Sequence, residues 1–363
     1  MFDVLSLPFV QRALLEVVLL AIAGGLVGTW IVLRGLAFYT HAAGTAAFPG
    51  LVLADGLGFA APLGAFATAI VLAGGVAGLT RGRRAGYDSA TALVLVGCLA
   101  AGVILASDVF HSGARVETLL FGSLLLIEPR DVILAGVAAA LVLAGTVSLG
   151  PRWLADGFDP DAARAVGLRG RGPDSALLVL VALASTAALA AVGALLATAL
   201  LIVPAATVRL WTRRLVPWQV ASVALAALEG VGGVLLSYET DAPPGATIAT
   251  LAGGVFLVAA LARTVRRARL APAAAATAAL LIALLGAGCG APGDSGKGLH
   301  VVATTTQLAD FARAVGGDRV AVAGLLRANT DPHEYEPRPS DVRAIVNARV
   351  VLESGDGLDS WIG

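Results

Sequence analysis

Long apolar runs, separated by short polar stretches, occupy the first 270 positions of this 363-residue chain. The run ALLVLVALASTAALAAVGALLATALLIVPAA (176–206) contains no charged residue, and about 20 apolar residues in an α-helix cross the hydrocarbon core of a bilayer. Membrane-spanning strands would alternate polar and apolar positions, which these runs do not. The pattern therefore predicts about nine spanning helices, at 13–33, 38–57, 60–79, 89–107, 131–149, 175–192, 193–209, 218–237 and 245–262.

Arginine-rich stretches fall at alternate loops between these spans, at 81–84, 152–171, 209–214 and 263–269. Basic loops of membrane proteins remain in the cytoplasm, so the N-terminus is predicted outside and residue 270 inside. Composition agrees, because 58% of the residues are hydrophobic, 14% are charged and the mean hydropathy is +0.85, whereas soluble domains are about 25% charged. The sequence predicts an all-α polytopic membrane protein whose immediate partner is the lipid bilayer, with no nucleic-acid partner.

Two loops are expected to have structure of their own. The apolar stretch 118–127 is too short to span and is predicted to form a re-entrant or interfacial helix. In DGFDPDAARAVGLRGRGPD (156–174), Asp159 is a suitable helix cap and Pro160 suits the first helical position. A short amphipathic helix over 160–168, ended by Gly170, could dock a soluble partner or could simply be a solvated loop.

A basic, apolar and small-residue sequence follows the last predicted span. RTVRRARLAP precedes the apolar stretch 273–288 and then Cys289, which is the three-part layout of a secretory signal. The residues before Cys289 resemble a lipobox, where a lipid is attached to the cysteine, although Gly286 stands where leucine is usual. The alternative is a tenth span with an incidental cysteine. Residues 290–298 have the composition of a flexible tether, and Cys98, within an apolar run, is expected to be a small buried hydrophobe.

After residue 298 the pattern changes to that of an α/β domain. Strands are predicted at 299–306, 319–326 and 349–355, with helices at 307–317 and at 340–348, the second capped by Ser340. This alternation favours a parallel sheet, although about 65 residues are fewer than a full lobe needs, so we expect a partial domain. The loop DPHEYEP (331–337) follows the second strand, where ligands of α/β sheets bind, and His333 is a candidate imidazole ligand for Zn²⁺.

The segment VVATTTQLADFARAVGGDRVAVAGLLRANTDPHEYEPRPSDV (301–342) resembles the opening of the solute-binding lipoproteins that deliver zinc or manganese to ABC importers. That resemblance implies that His333 is the first metal ligand and that the other ligands belong to a part of the domain beyond Gly363. Four further segments resemble the permease of the same importer family: ETLLFGSLLLI (117–127), DAARAVGL (161–168), VGALLATALLIVPAATVRLWTRR (192–214) and GGVLLSYETDAPPGATI (232–248). The resemblance implies a type II importer permease in which helix 160–168 couples to a separate ATPase.

Two side chains in the spans, His41 and Glu229, are candidates for handling an ion. Permeases of the family usually carry Asp one helical turn before a His on the second span, but LRGLAFYTHA keeps His41 and has Ala37 at the earlier position. Glu16 and Glu229 also fall inside predicted spans, where charged groups usually face a protein interior or a cavity. Glu229 could supply the missing oxygen ligand or could pair with an arginine near a helix end.

Together these features predict three parts: a transmembrane permease (1–270), a lipoprotein-type signal and linker (271–298), and the first part of a metal-binding domain (299–363). The predicted function is import of zinc or manganese, by a homodimer with its binding protein, in the cell membrane, with residues after about 289 outside the cytoplasm. The chain is predicted not to be an enzyme and to hold no cofactor, because it lacks GxxxxGK[ST] and ATP would be hydrolysed by a separate ATPase subunit. Two alternatives are a proton-coupled secondary carrier and a membrane anchor that displays a sensory α/β domain.

Overall fold

A computed structural model of the chain describes residues 8–80, 86–110, 124, 127–168, 170–268, 299–326, 335 and 337–355. The membrane part of the described chain is entirely helical. Its helices are α1 (Pro8–Arg34), α2 (Ala37–Thr45), α3 (Phe48–Leu57), α4 (Ala61–Thr80), α5 (Tyr87–Ile104, continued by a π-helical turn, Leu105–Val109), α6 (Pro129–Phe158), α7 (Pro160–Ala165), α8 (Arg171–Arg209), α9 (Leu215–Thr240) and α10 (Pro244–Ala268). Predicted features at 118–123, 273–289 and His333 lie outside the described residues.

Seven helical segments in the described part of the chain are long and apolar enough to cross a membrane. They correspond to seven of the nine expected spans. The expected span 38–57 is instead two short helices, α2 and α3. The cause is Pro49, which has no N–H to donate and whose ring would clash with the carbonyl of Thr45, the residue at which α2 ends.

The predicted division of residues 175–209 into two segments is confirmed. Helix α8 is interrupted at Gly193, whose φ of 71° and ψ of 167° are not helical. Residues with a Cβ atom rarely adopt this positive φ, whereas glycine does so readily. The part after the break, Ala197–Arg209, is a shorter apolar helix, and it corresponds to the expected span 193–209.

Helix α1 lies inside the bundle and packs against α6, α8 and α9. Glycines allow this close approach, as the frequent small residues of the spans predict: a Cβ atom at Gly25 would lie 2.5 Å from Val223 Cα, and one at Gly28 would lie 2.1 Å from Leu201 O. Large apolar side chains of the outer helices remain exposed instead, with Val147 at 74%. A bundle that meets lipid rather than water has this arrangement.

Contacts between helix ends place the arginine-rich loops together. Arg34 Nη2, at the end of α1, lies 3.1 Å from Asp174 Oδ1 in the first turn of α8. The Arg266 guanidinium lies 5.5 Å from the centre of the Trp211 ring, which joins the loop after α8 to the last turns of α10. We call this the arginine-rich end of the bundle, and the loop between α9 and α10 lies at the opposite end.

The α/β part has the predicted parallel sheet. Strand β1 (Leu299–Ala303) lies between β2 (Val320–Gly324) and β3 (Val350–Leu352), and both pairings are parallel. Helices α11 (Thr306–Gly316) and α12 (Pro339–Asn347) connect the strands. The predicted cap of α12 was wrong: Arg338, not Ser340, is the capping position, because the Asp341 carboxylate accepts a hydrogen bond from the Arg338 N–H at 2.8 Å.

Candidate functional site

His41 lies on α2, just after the break that follows α1. Gly35 has a φ of 67°, which turns the chain away from the axis of α1 before α2 begins. The Tyr39 hydroxyl donates to the Leu178 carbonyl at 2.9 Å and fixes α2 to α8. His41 itself is partly buried, and Ala37 is exposed one turn earlier, so no carboxylate accompanies the imidazole at that position.

Glu16 and Glu229 lie deep in the bundle, on α1 and α9. They are 0% and 2% exposed, and within the described part of the chain none of their carboxylate oxygens has a hydrogen-bond partner. The residues that follow them are in contact, since a Cβ atom at Gly230 would lie 2.2 Å from Val17 Cγ1. Both carboxylates therefore sit at a similar depth on two packed helices, and neither pairs there with an arginine.

The described residues contain no group of three or more His, Cys, Asp or Glu side chains that could hold a metal ion. Neither His41 nor Glu229 therefore belongs to a group of three or more such side chains within the described residues. His333 lies outside the described residues. The neighbouring Tyr335 hydroxyl makes hydrogen bonds with the Leu325 carbonyl, at 3.3 Å, and with the Asp341 carboxyl group, so Tyr335 of the DPHEYEP loop is held beside the start of α12.

Helix α7 lies at the arginine-rich end of the bundle and is partly exposed there. Asp159 caps it as predicted, because its Oδ1 accepts from the Ala162 N–H at 2.9 Å. The helix is shorter than expected: it ends at Ala165, since Gly167 adopts a φ of 71° that closes the last turn. Apolar side chains on both sides remain exposed, with Phe158 at 88% and Val166 at 68%.

A polar contact joins the α/β part to the opposite end of the bundle. Asp241, which follows the last residue of α9, accepts from the Ser340 N–H at 3.0 Å and from the Ser340 hydroxyl at 2.8 Å. Arg343 follows Ser340 by about one helical turn, and Tyr238 precedes Asp241 by about one turn. The Arg343 guanidinium lies 4.6 Å from the centre of the Tyr238 ring. A carboxylate at the N-terminus of a helix is favourable, and sequence patterns gave no sign of this pairing.

Two family models match different parts of the chain. The family model described as the ABC 3 transport family matches residues 6–263. The chain belongs to the ABC 3 transport family. Residues 301–363 match a second family model, that of the periplasmic zinc-uptake complex component A.

Several curated relatives of the ABC 3 permease are named as membrane components of metal transport systems. The manganese transport system membrane protein MntC of Halalkalibacterium halodurans is 30% identical over 71% of this chain and 89% of its own length. A probable iron transport system membrane protein of Haemophilus influenzae is also 30% identical, over 71% of this chain and 97% of its own length. Among solved structures, PsaBC from Streptococcus pneumoniae in complex with Fab matches with a TM-score of 0.62 and 28% identity, over 71% of this chain and 93% of that chain.

Proposed function

We propose that this chain is the transmembrane subunit of an ATP-driven importer of manganese or zinc and works with a separate ATPase. The observation that carries the proposal is α7, a capped helix with exposed apolar neighbours at the arginine-rich end. Because basic loops remain in the cytoplasm, that end faces the compartment that holds ATP. Apolar side chains exposed at that end form a surface suited to a protein partner.

The docking role of α7 is tested by placing charge on it. Ala165→Asp combined with Val166→Asp should abolish co-purification of the ATPase while the permease still inserts. Val216→Asp is the matched control, because Val216, at the start of α9, is 66% exposed and Val166 is 68% exposed. Equal ATPase recovery with both variants would reject the docking role.

We propose further that the α/β domain receives the metal outside the cytoplasm and stays on the membrane through a lipid on Cys289. The contact between Asp241 and Ser340 supports a position of the domain outside the cytoplasm, because the contact lies at the end of α9 opposite the arginine-rich end. Cells fed labelled palmitate should incorporate it into the wild-type chain and not into Cys289→Ala. Incorporation into both chains would show that the lipid is attached elsewhere or that the label is unspecific.

For the metal pathway we propose that two copies of the permease bring their His41 side chains together, and that Glu229, which is buried within each copy, contacts the ion at a separate point of the pathway. Imidazole and carboxylate ligands suit both Zn²⁺ and Mn²⁺, and a second copy would add the ligands that one described chain lacks. His41→Ala and Glu229→Gln should each lower metal uptake without reducing the amount of permease in the membrane. Full uptake by both variants would remove these residues from the pathway.

His333 is proposed as a ligand of the metal that the α/β domain receives. A tetrahedral zinc site needs four ligands, and the DPHEYEP loop supplies one imidazole. We therefore expect residues 299–363 to bind zinc weakly, and a domain completed with the remainder of a binding protein to bind it tightly and to lose that binding with His333→Ala. Tight calorimetric binding by the short form, lost with His333→Ala, would contradict this reading.

One observation favours a second candidate function. Buried carboxylates that have no hydrogen-bond partner among the described residues, such as Glu16 and Glu229, are typical of proteins that carry protons across membranes. A proton-coupled secondary carrier of metal ions would use such groups and would need no ATPase. Transport measured with and without an ATPase separates the two functions.

A further inference from the structure

A buried ionic cluster lies at the arginine-rich end, and α1 contributes its centre. Arg34 Nη2 is 2.7 Å from Asp156 Oδ2 and 3.1 Å from Asp174 Oδ1. The side chains of Arg34 and Asp156 are 7% and 6% exposed, and that of Asp174 is 23% exposed. Breaking a buried ion pair leaves an uncompensated charge, which is strongly unfavourable. The three side chains are therefore expected to move together rather than to separate.

This ionic cluster joins the two ends of the chain segment 156–174, which contains α7. Asp156 belongs to the last turn of α6 and Asp174 to the first turn of α8, and α7 lies in the chain between them. One guanidinium therefore holds both ends of that segment. A second tie lies beside it, because the Trp153 indole N–H donates to the Pro173 carbonyl at 2.7 Å. A displacement of α7 would therefore reach the rest of the bundle through the Arg34 ion pairs and the Trp153 hydrogen bond.

The same arginine is connected to the helix that carries His41. Arg34 is the last residue of α1, Gly35 follows with a φ of 67°, and α2 begins at Ala37. The Tyr39 hydroxyl on α2 donates to the Leu178 carbonyl of α8, one helical turn after Asp174. The first turns of α8 are thus bound to α1 by Arg34 and to α2 by Tyr39.

Packing around the cluster makes this part of the bundle rigid. The Trp30 and Trp153 rings meet edge to face with centres 5.4 Å apart, and the Trp30 indole N–H donates to the Thr146 hydroxyl at 3.3 Å. Both tryptophans are 1% exposed. Since densely packed interiors transmit displacement with little compression, the ends of α1, α6 and α8 are expected to shift as one body.

We propose that Arg34 is a positioning residue that couples α7 to α2, so that displacement of the α7 segment is passed through Asp156, Arg34 and Asp174 to the helix that bears His41. The proposal rests on the proposed function, in which an ATPase acts on α7. Gly35 is the point at which the chain can bend, as hinges at the ends of helices do. In this arrangement the ATPase can alter the surroundings of His41 without touching α2.

A purely structural role for the cluster makes a different prediction from a coupling role. Loss of structure lowers ATP hydrolysis and metal uptake together, because both need the assembled complex. Loss of coupling lowers the metal moved per ATP hydrolysed while hydrolysis continues. The deciding quantity is this ratio, measured with permease and ATPase together in proteoliposomes, with Mn²⁺ as the transported ion.

Asp174→Asn removes the charge of the partly exposed partner and keeps the shape of the side chain. We expect it to retain ATP hydrolysis and to lower the Mn²⁺ moved per ATP by about tenfold, within the range of coupling between distant sites. Asp174→Glu, which restores the charge, should recover most of the ratio. The control is Arg130→Gln, which breaks an ion pair with Glu128 whose side chains are 61% and 54% exposed, and it should leave the ratio unchanged.

A second variant covers the case in which Asp174→Asn does not assemble. Tyr39→Phe removes only the hydroxyl that binds the Leu178 carbonyl and leaves every buried charge in place, and it should lower the same ratio by about fivefold. An unchanged ratio in Tyr39→Phe, or the same decrease in Arg130→Gln, would overturn the proposal while the proposed function stands. Mn²⁺ uptake by the wild-type permease without any ATPase would instead overturn the proposed function itself.

Discussion

The close contact between α1 and α8 can be tested with a matched pair of glycine substitutions. A Cβ atom at Gly28 would lie 2.1 Å from the Leu201 carbonyl oxygen and 3.2 Å from Ala205 Cβ. Carbon and carbonyl oxygen atoms of adjacent elements approach to about 3.3 Å, so the two helices would have to separate by roughly 1 Å. Gly74, inside α4, has nothing within 4 Å of the same position, and its replacement by alanine meets open space.

Both substitutions, Gly28→Ala and Gly74→Ala, gain the same helix propensity of about 1 kcal/mol, which cancels when the two variants are compared. The remaining difference is the cost of overpacking, about 1–3 kcal/mol, at Gly28 alone. Backbone atoms cannot rotate away as a side-chain end can, so this cost is not relieved locally. We therefore expect Gly28→Ala to be less stable than Gly74→Ala by about 1–3 kcal/mol.

The assay compares purified variants heated in one detergent, with the surviving monodisperse fraction measured by size-exclusion chromatography. Gly28→Ala should lose this fraction at a lower temperature than the wild type, and Gly74→Ala should match or exceed the wild type. Membrane proteins often unfold irreversibly, so the comparison is made at one heating time. Equal survival of the two variants would show that α1 and α8 are not packed backbone against backbone.

Three further predictions concern α7, the topology and the α/β domain. Asp159→Ala should weaken ATPase binding because it removes the cap of α7, whereas Asp159→Asn, an equally good cap, should retain it in the same pull-down. A membrane-impermeant thiol reagent applied to intact cells should label Thr240→Cys and not Gly170→Cys; labelling of the second would reverse the orientation. Burial raises the pKa of the Asp341 carboxyl, so the folded domain binds this proton more tightly than the unfolded chain does. The stabilisation is complete below the ordinary carboxyl pKa range and is lost as the pH rises through the raised pKa. The backbone amides of β1 should therefore be better protected from hydrogen exchange in mild acid than at neutral pH. Asp341→Asn should remove this dependence of protection on pH.

Much of the fold could be predicted from local features of the sequence. Long apolar runs reveal spanning helices because a bilayer requires every backbone group to be paired within the segment. Asp159 and Pro160 predicted the start of α7, and its cap is present as expected. The break at Gly193 coincides with the predicted boundary between two spans. These features depend on neighbours in the sequence, and for that reason the sequence reports them well.

Features that depend on contacts between distant residues were not predicted. One local feature was missed as well: Pro49 divides the second expected span, because that apolar run was interpreted from its length and hydrophobicity alone. Asp156 and Asp174 look like solvated loop residues in the sequence, yet both contact Arg34. That meeting depends on how α1, α6 and α8 pack around Trp30 and Trp153. No spacing along the chain encodes it.

Transport by the reconstituted permease shows whether metal import depends on ATP and a separate ATPase. The permease is placed in proteoliposomes with or without its ATPase, and Mn²⁺ and Zn²⁺ uptake is followed with either ATP or an imposed proton gradient as the energy source. We expect uptake of at least one of these ions only when the ATPase and ATP are both present, and none from the proton gradient alone. Uptake driven by the gradient in the absence of the ATPase would contradict this expectation.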